Sequence, residues 1–283
     1  MANHLQIVTG MENLCVAGGV GLNSVANGRL IKESKFKNVF VQPAAGDDGG
    51  SLGAAFFVYH HLLNKKRNFV MEHGYWGKEY SEEEIAKFLK KENLKGVKVS
   101  DTALVNQIAE EISQGNVIGW YQGRFEWGPR ALGNRSILAD PRREEMKDIV
   151  NTKIKFREPY RPFAPVVIEE EASTYFAIEN PAECYPARFM LTVTDVKKDK
   201  RSIIPAVTHV DGTGRLQAVS KKQNPRYYQL VRTFGQLTGV PVLMNTSFNL
   251  KGEPIVTTPH QAYSTFKKGE IDTLVLGSYI LKK

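Results

Sequence analysis

The sequence predicts an α/β protein built from two units. Residues 13–17 (NLCVA) and 39–42 (VFVQ) are short apolar stretches, and each is followed by a glycine-rich turn and a helical segment. From residue 117 onward, further apolar stretches alternate with polar connections. Strand, turn and helix in this order are typical of α/β domains whose turns border a ligand crevice.

A polar connection divides the predicted units near residue 75, giving segments 1–75 and 76–283. In the second segment, Ser81 is a predicted N-cap with Glu84 at the capping-box position of a helix. Further predicted elements are a first-segment helix ending near residue 63, helices at about 81–91 and 101–114, a strand at 117–122, a helix in PRREEMKDIVNTKI, and strands in PFAPVVI, FMLTV, RLQAV, PVLMN and TLVLG.

The first segment has too few predicted elements to form a ligand crevice by itself. It has only two predicted strands and two helices, and the first strand, at 13–17, begins close to residue 1 with no earlier element to pair with. We therefore expect a fragment, or one partner of a split protein.

Composition indicates an ordinary globular chain, with 42% hydrophobic and 24% charged residues among 283. No apolar run approaches the roughly 20 residues that cross a membrane, and residues 1–10 lack a signal-peptide pattern. Cys15 and Cys184 form no CxxC pair. We expect a cytoplasmic protein without a disulfide framework.

The segment EWGPRALGNRS predicts an anion-binding turn. Gly128 and Gly133 let the backbone approach a partner closely, and Pro129 stiffens it. Arg130 and Arg135 offer planar guanidinium groups that suit phosphate or carboxylate. We therefore predict that both arginines bind substrate.

The cations continue into NTKIKFREPYRPFAP. Lys155 and Arg157 alternate as on one face of an extended strand, and Arg161 precedes a proline. We predict that Arg157 binds substrate. Between residues 124 and 161 there are ten Lys or Arg and six Asp or Glu, within a formal net charge of +8. A phosphorylated ligand or nucleic acid would suit this excess. Because no helix-turn-helix, zinc finger or RNP pattern accompanies it, nucleic acid is the weaker alternative.

The turn GGVGLNSVANG, residues 18–28, admits two interpretations. Glycine turns that lead into helices bind nucleotides through backbone N–H groups, and a tight strand–helix turn would have the same residues. No Lys-Ser/Thr pair follows, which disfavours a Walker-type ATPase.

The segment GDDGGSLGAA places Asp47 and Asp48 at a strand end. Either could hold a metal or a ribose hydroxyl, or cap a helix. No histidine pair has helical metal-ligand spacing. Other ligands of a metal at Asp47 would therefore lie outside this chain.

Polar residues also follow the predicted strand PVLMN. Asn245, Thr246, Ser247 and Asn249 either line a pocket or cap the strand. A second glycine turn, HVDGTG, precedes Arg215.

Six blocks, taken together and in order, resemble the nodulation-protein-type O-carbamoyltransferases, a family that includes enzymes acting on tobramycin and cephalosporins. The blocks are AGGVGLNSVANGRL, GDDGGSLGAA, WGPRALGNRSILADPR, NTKIKFREPYRPFAP, DGTGRLQAV and NTSFNLKGEPIV.

The resemblance implies an α/β fold in which 1–75 is the second half of an actin-like (ASKHA, RNase H-like) transferase domain and 76–283 is a YrdC-like domain. It implies that carbamoyl phosphate and ATP form a carbamoyl-adenylate, with release of phosphate and pyrophosphate, and that the carbamoyl group then passes to an acceptor hydroxyl near a divalent metal (Fe, Mg or Mn).

The resemblance also implies residue roles in two sites. The carbamoyl phosphate and nucleotide pocket of the second segment would comprise Arg130, Lys155 and Arg161 as catalytic residues, with Arg215, Asn245 and Ser247 as binding residues. The first segment would contribute Gly18, Gly19, Gly21 and Asn23 to a nucleotide turn and Asp47, or Asp48 in the other register, to the metal.

The family's N-terminal half, with its histidine ligands, has no counterpart here, so the implied metal site is incomplete and the missing half is an expected partner. Two other functions remain open: a threonylcarbamoyl-adenylate synthase-like enzyme and a basic RNA-binding domain without catalysis. The sequence also leaves open a homodimer.

Overall fold

The computed structural model describes residues 1–283. The N-terminal unit contains a two-stranded parallel sheet, in which Leu14 pairs with Val39. Its elements are α1 (Ala2–Thr9), β1 (Asn13–Cys15), α2 (Ser24–Glu33), β2 (Asn38–Phe40) and α3 (Gly50–Phe57), which continues as a π-helical turn over Val58–Leu62.

A nine-stranded mixed sheet, in the order β3-β11-β10-β4-β5-β9-β6-β8-β7, organises the rest of the chain. Its strands are β3 (Val97–Lys98), β4 (Ile118–Tyr121), β5 (Arg135–Ala139), β6 (Ala164–Ile168), β7 (Thr192–Asp195), β8 (Thr213–Val219), β9 (Val242–Ser247), β10 (Thr273–Leu276) and β11 (Tyr279–Lys282). Its helices are α4 (Glu82–Lys91), α5 (Asp101–Ser113), α6 (Met146–Ile149), α7 (Ala172–Tyr175), α8 (Pro225–Thr238) and α9 (Pro259–Lys268).

Helices cover both faces of this sheet. On one face, α5 and α8 bury a cluster that includes Ile108, Trp120 and Phe234. On the other, α4, α6 and α9 contribute to a larger cluster with Phe163 and Phe248. Burial of these apolar surfaces stabilises the three layers, and the predicted α/β class is confirmed.

Local signals explain where several helices begin. The Ser81 hydroxyl accepts from Glu84 N, and the Glu84 carboxylate accepts from Ser81 N, so the predicted capping box is present. Thr258 and Gln261 form a second capping box at α9. Each box satisfies two amides that the first helical turn leaves free.

The structure corrects the prediction for the start of the chain. The strand predicted as buried at 13–17 is β1, whose residues Asn13 and Cys15 are exposed. Helix α1 precedes it, although the sequence indicated no earlier element. Strands β3, β5 and β11 and helices α7, α8 and α9 were also not predicted.

The N-terminal unit rests on the edge strand β7 through α2. A Cβ built on Gly28 would lie 2.2 Å from the Val193 carbonyl oxygen, so the helix approaches the strand as closely as glycine allows. The buried Asn27 Nδ2 donates to the carbonyls of Gly21, at 2.8 Å, and Leu191, at 2.9 Å. The predicted boundary near residue 75 falls in the connection between α3 and α4.

The outer helices of the N-terminal unit leave apolar side chains exposed. Neither α1 nor α3 has a buried residue. Phe57 at the end of α3 is 56% exposed, and Leu62 in the following turn is 64% exposed. No helix combines the length and apolarity that crossing a bilayer requires.

Candidate anion-binding site

The predicted arginine turn is a packed loop between β4 and β5. Gly128 and Gly133 both have a positive φ, at 103° and 106°. A Cβ on Gly128 would lie 2.3 Å from the Pro43 carbonyl oxygen, and one on Gly133 would lie 2.1 Å from the Tyr227 ring. The loop is therefore held between the N-terminal unit and α8, with Arg130 near its apex.

A cavity of 340 Å³ opens beside Arg130 and collects side chains from separate segments. It contains six of the eight residues predicted for the substrate pocket. Those six are Arg130, Arg157, Arg161, Arg215, Asn245 and Ser247, and the other lining residues are Pro129, Ala131, Pro162, Phe163, Met190 and Thr246.

Three of the four arginines in this anion cavity have no carboxylate partner. Arg130, Arg157 and Arg215 make no ion pair. Arg161 is half exposed, and its Nε lies 3.0 Å from Glu158 Oε2. The cavity therefore carries a local excess of positive charge, which a bound anion would offset.

The hydrogen bonds of the three unpaired arginines differ. Arg130 Nη2 donates to the Leu22 carbonyl over 3.0 Å, and Arg157 Nε donates to Asn151 Oδ1 over 2.7 Å. The Nε atoms of Arg130 and Arg215 are buried and have no hydrogen-bond partner. Burial, together with Arg130 and Arg157 nearby, lowers the pKa of Arg215 to about 10. A bound anion would therefore favour the charged form of Arg215.

Asn245 lines the anion cavity and contains a buried hydrogen-bond acceptor. Its side chain is 1% exposed, and its Nδ2 donates to the Ala131 carbonyl, at 3.2 Å, and to Gln217 Oε1, at 3.0 Å. Its Oδ1 is buried without a donor. A buried acceptor without a donor costs free energy, so a ligand N–H group would be favoured there.

Lys155 lies behind the anion cavity. The predicted extended stretch is instead the end of a π-helical turn over Val150–Ile154, followed by Phe156 with φ 47°. Lys155 Nζ donates to Asn249 Oδ1 (2.7 Å), Asn249 O (3.0 Å), Ser247 Oγ (3.2 Å) and the Ser247 carbonyl. Lys155 therefore holds the residues beside the cavity rather than lining it.

The surroundings of Lys155 change its acidity. Burial and the charge of Arg157 lower the pKa of the Lys155 ammonium to about 7. Ser247 Oγ donates to Asn249 Oδ1 over 2.7 Å, which completes the network around the ammonium. The sequence analysis placed Asn249 among the polar residues at the strand end but gave it no separate role.

Arg135 does not reach the anion cavity, although the sequence predicted that it binds substrate. Its side chain is fully buried, and its guanidinium lies 3.7 Å from the Tyr121 ring centroid. It donates to the backbone carbonyls of Asn134 (3.0 Å), Gly123 (3.1 Å) and Gln122. Because these contacts tie the two ends of the loop together, Arg135 has a structural role here.

The glycine turn of the N-terminal unit combines packing and open positions. Asn23 Oδ1 accepts from Ala26 N over 3.1 Å and caps α2, and Gly21 packs against Ala45. Gly18 and Gly19 have no atom within 4 Å of a built Cβ, so their backbone faces open space. The Gly18 N–H group already donates to the Ala45 carbonyl over 2.7 Å, and the side-chain oxygen of Asn23 is occupied by the cap. The Gly19 N–H group remains available to a ligand.

The residues present do not complete a metal site. Asp47 and Asp48 are exposed in a short 3₁₀ turn, and neither side chain caps α3. No group of three or more His, Cys, Asp or Glu side chains is arranged to hold a metal ion. This chain therefore offers one or two carboxylates, fewer than a metal centre needs.

A larger cleft of 1130 Å³ lies on the other side of the loop, next to the ends of β4 and β10. Its arginines are already paired: Arg226 Nη2 lies 2.6 Å from Asp101 Oδ1, and Arg124 Nε lies 3.6 Å from Glu79 Oε2. The smaller cavity is therefore the better candidate for an anion.

Family models match most of the chain. A model described as "Carbamoyltransferase C-terminus" matches residues 109–283, and one described as "Carbamoyltransferase N-terminus" matches residues 2–56. The chain belongs to the carbamoyltransferase family, which confirms the predicted family.

Three curated relatives support this membership. The uncharacterised protein sll1178 of Synechocystis is 46% identical over 97% of this chain and 48% of its own length. Nodulation protein NolO of Bradyrhizobium diazoefficiens is 44% identical over 99% of this chain and 51% of its length. The 3'-hydroxymethylcephem-O-carbamoyltransferase of Streptomyces clavuligerus is 34% identical over 93% of this chain and 47% of its length. The chain thus spans about half the length of these relatives.

Solved structures are similar to part of the chain at low identity. The structure of P. abyssi Sua5 matches 64% of this chain and 48% of the Sua5 chain, with 16% identity and a TM-score of 0.46.

Proposed function

We propose that the anion cavity binds carbamoyl phosphate and that the chain takes part in O-carbamoyl transfer through a carbamoyl-adenylate. The supporting observation is the pairing of two complementary features in one small cavity. Arg130, Arg157 and Arg215 supply positive charge without carboxylates, and Asn245 Oδ1 is a buried acceptor without a donor. The phosphate group would meet the arginines, and the carbamoyl NH₂ would donate to Asn245.

The arginines would also stabilise the charge that develops during the reaction. In the first proposed step, water hydrolyses carbamoyl phosphate to carbamate and inorganic phosphate. A carbamate oxygen then attacks the α-phosphorus of ATP, the bond to the β-phosphate bridge breaks, and pyrophosphate leaves. Preorganised cations lower the barrier to such steps because they need not reorganise as charge moves. Arg161, at the exposed side of the cavity, would meet the nucleotide phosphates.

The N-terminal unit would serve the transfer step. We propose that the open backbone at Gly18 and Gly19 contacts a nucleotide, and that Asp47, or Asp48, contributes one ligand to a metal whose other ligands come from outside this chain. Arg130 links the two regions through the Leu22 carbonyl.

Pyrophosphate release tests the adenylation step. We expect release from ATP to depend on carbamoyl phosphate and to fall to background in Arg130→Ala, whereas the exposed Arg232→Ala variant retains it. Carbamoyl-phosphate-dependent release that survives the Arg130 substitution would remove Arg130 from the site. Release that requires bicarbonate and threonine instead would favour the threonylcarbamoyl-adenylate alternative.

Acetyl phosphate tests the proposed role of Asn245. It carries a methyl group where carbamoyl phosphate carries NH₂, so it cannot donate to Asn245 Oδ1. We expect calorimetry to show roughly tenfold tighter binding of carbamoyl phosphate, which is the scale of one buried hydrogen bond. Equal affinities would contradict this orientation of the ligand.

We also propose a protein partner, namely the half of the relatives' length that this chain does not cover. The apolar side chains exposed on α3 and the following turn would pack against it, because no other part of this chain covers them. We expect a separately produced fragment from the uncovered half of a relative to bind this chain. Phe57→Ser with Leu62→Ser should abolish binding, and Leu237→Ser on α8 should not.

Sedimentation of the chain alone distinguishes this partner from a homodimer. A monomer that forms a one-to-one complex with the fragment supports the proposal. A stable dimer that the Phe57 and Leu62 substitutions dissociate would show instead that a second copy covers the surface.

A further inference from the structure

One oxygen of the buried Glu126 carboxylate receives three backbone N–H groups. Oε1 accepts from Leu132 N at 2.8 Å, Asn134 N at 2.8 Å and Arg135 N at 3.1 Å. Glu126 is 4% exposed and makes no ion pair with Lys, Arg or His. Backbone amides, rather than a side-chain cation, therefore satisfy one oxygen of this carboxylate.

The three amides belong to the limb of the loop that returns from Arg130 to β5. The carboxylate itself is at the start of the same loop, so the contact closes residues 126–135 into a ring. Arg130 lies within this ring, so the contact restricts the movement of the backbone that carries Arg130. Without an acceptor, three buried amides would lose their partner, and the loop would open to find others.

We propose that Glu126 is a positioning residue for the anion site. It acts through the backbone by fixing the loop so that the Arg130 guanidinium faces the cavity. The ligand part of this inference rests on the proposed binding of carbamoyl phosphate, whereas the backbone part does not.

The two oxygens of Glu126 allow a sharp set of variants. Since Oε2 has no hydrogen-bond partner, Glu126→Gln can keep the Oε1 contacts while it removes the charge and puts an NH₂ group in place of Oε2. Glu126→Asp keeps the charge but shortens the reach by one methylene, and Glu126→Ala removes the acceptor. Glu92→Ala, at the exposed end of α4, is the matched control.

Hydrogen–deuterium exchange of the loop amides is the first measurement, because it needs no ligand. We expect amides 132–135 to exchange at least about tenfold faster in the Asp and Ala variants, and close to the wild-type rate in the Gln and control variants. Unchanged protection in both Asp and Ala variants would overturn the inference. If Glu126→Ala does not fold, the comparison of exchange rates between Glu126→Asp and Glu126→Gln decides.

Calorimetric titration with carbamoyl phosphate is the second measurement. We expect affinity to fall at least about tenfold in Glu126→Asp and to stay within about threefold of wild type in Glu126→Gln. The opposite order would show that charge, not position, matters. If wild type does not bind carbamoyl phosphate, the proposed function fails, and the exchange experiment still decides the role of Glu126.

Discussion

The guanidinium of Arg130 joins the anion cavity to the glycine turn of the N-terminal unit, because Nη2 donates to the Leu22 carbonyl over 3.0 Å. Arg130 Nε is buried without a partner, and no carboxylate pairs with the side chain. A planar guanidinium can keep the Leu22 contact while another edge receives an anion. One side chain is thus placed to connect the two units that the sequence predicts.

Arg130→Lys should weaken anion binding although it keeps the charge. A lysine ammonium is a compact donor that cannot hold the Leu22 carbonyl and an anion with two separate sets of N–H groups, as a planar guanidinium can. We therefore expect the affinity for carbamoyl phosphate to fall by about tenfold or more. Calorimetry measures this, with the exposed Arg124→Lys as the control. A lysine variant that binds as tightly as wild type would show that Arg130 contributes charge alone.

Arg215→Met should stabilise the protein and remove ligand binding. The guanidinium is largely buried, lacks an ion pair, and has a pKa lowered to about 10 by burial and neighbouring arginines. Replacing an uncompensated buried cation with an apolar side chain of similar length should raise the free energy of unfolding by about 1 kcal/mol or more. Thermal unfolding with and without carbamoyl phosphate tests both effects.

Without ligand, the midpoint temperature of thermal unfolding should be higher for Arg215→Met than for wild type. Added carbamoyl phosphate should raise this temperature only for wild type. Arg232→Met on α8 is the control, because its side chain is exposed and should change neither value. A less stable Arg215→Met variant would indicate that the guanidinium has a structural partner.

Lys155 should make anion affinity and stability respond to pH in opposite directions. Its folded pKa is about 7 and lies below the ordinary value of 10.5. The unfolded chain therefore binds more protons above about pH 7, and the free energy of unfolding rises from there toward about pH 10. Loss of the same proton removes positive charge behind Ser247, so anion affinity should fall over this range.

Sulfate is a suitable probe for Lys155, because it stays dianionic between about pH 6 and pH 9. We expect wild-type affinity for sulfate to decline above about pH 7, by at most about tenfold per pH unit. Lys155→Met should bind more weakly at pH 6 and show a flatter profile. A variant with the same slope as wild type would assign the titration to another group.

Local signals and side-chain chemistry predicted much of this architecture. Helices α4 and α5 and the capping box at Ser81 depend on neighbours in sequence, so sequence alone predicts them. The six cavity residues followed from residue type together with the family resemblance. Their roles stay predictions until binding is measured, and so does the actin-like assignment of residues 1–75.

What the sequence could not predict depends on distant contacts. The i, i+2 spacing of Lys155 and Arg157 fits a strand, but a π-helical turn and the positive φ of Phe156 send the two side chains to different neighbours. Arg135 has the same glycine-rich context as Arg130, yet the Tyr121 ring and nearby carbonyls enclose it. Charge near glycine does not distinguish an anion ligand from a buried tether.

Gly28→Ala should weaken the packing of α2 against β7, since a Cβ there would lie 2.2 Å from the Val193 carbonyl oxygen. Backbone must move to relieve this overlap, so we expect a loss of about 2–3 kcal/mol in the free energy of unfolding. Because the Leu22 contact of Arg130 crosses the same junction, affinity for carbamoyl phosphate should fall as well. The matched control is Gly53→Ala on α3, which has nothing within 4 Å of the new methyl group and should gain about 0.5–1 kcal/mol from helix propensity. Urea unfolding compares the two variants, and equal stability would mean that α2 shifts along β7 without cost.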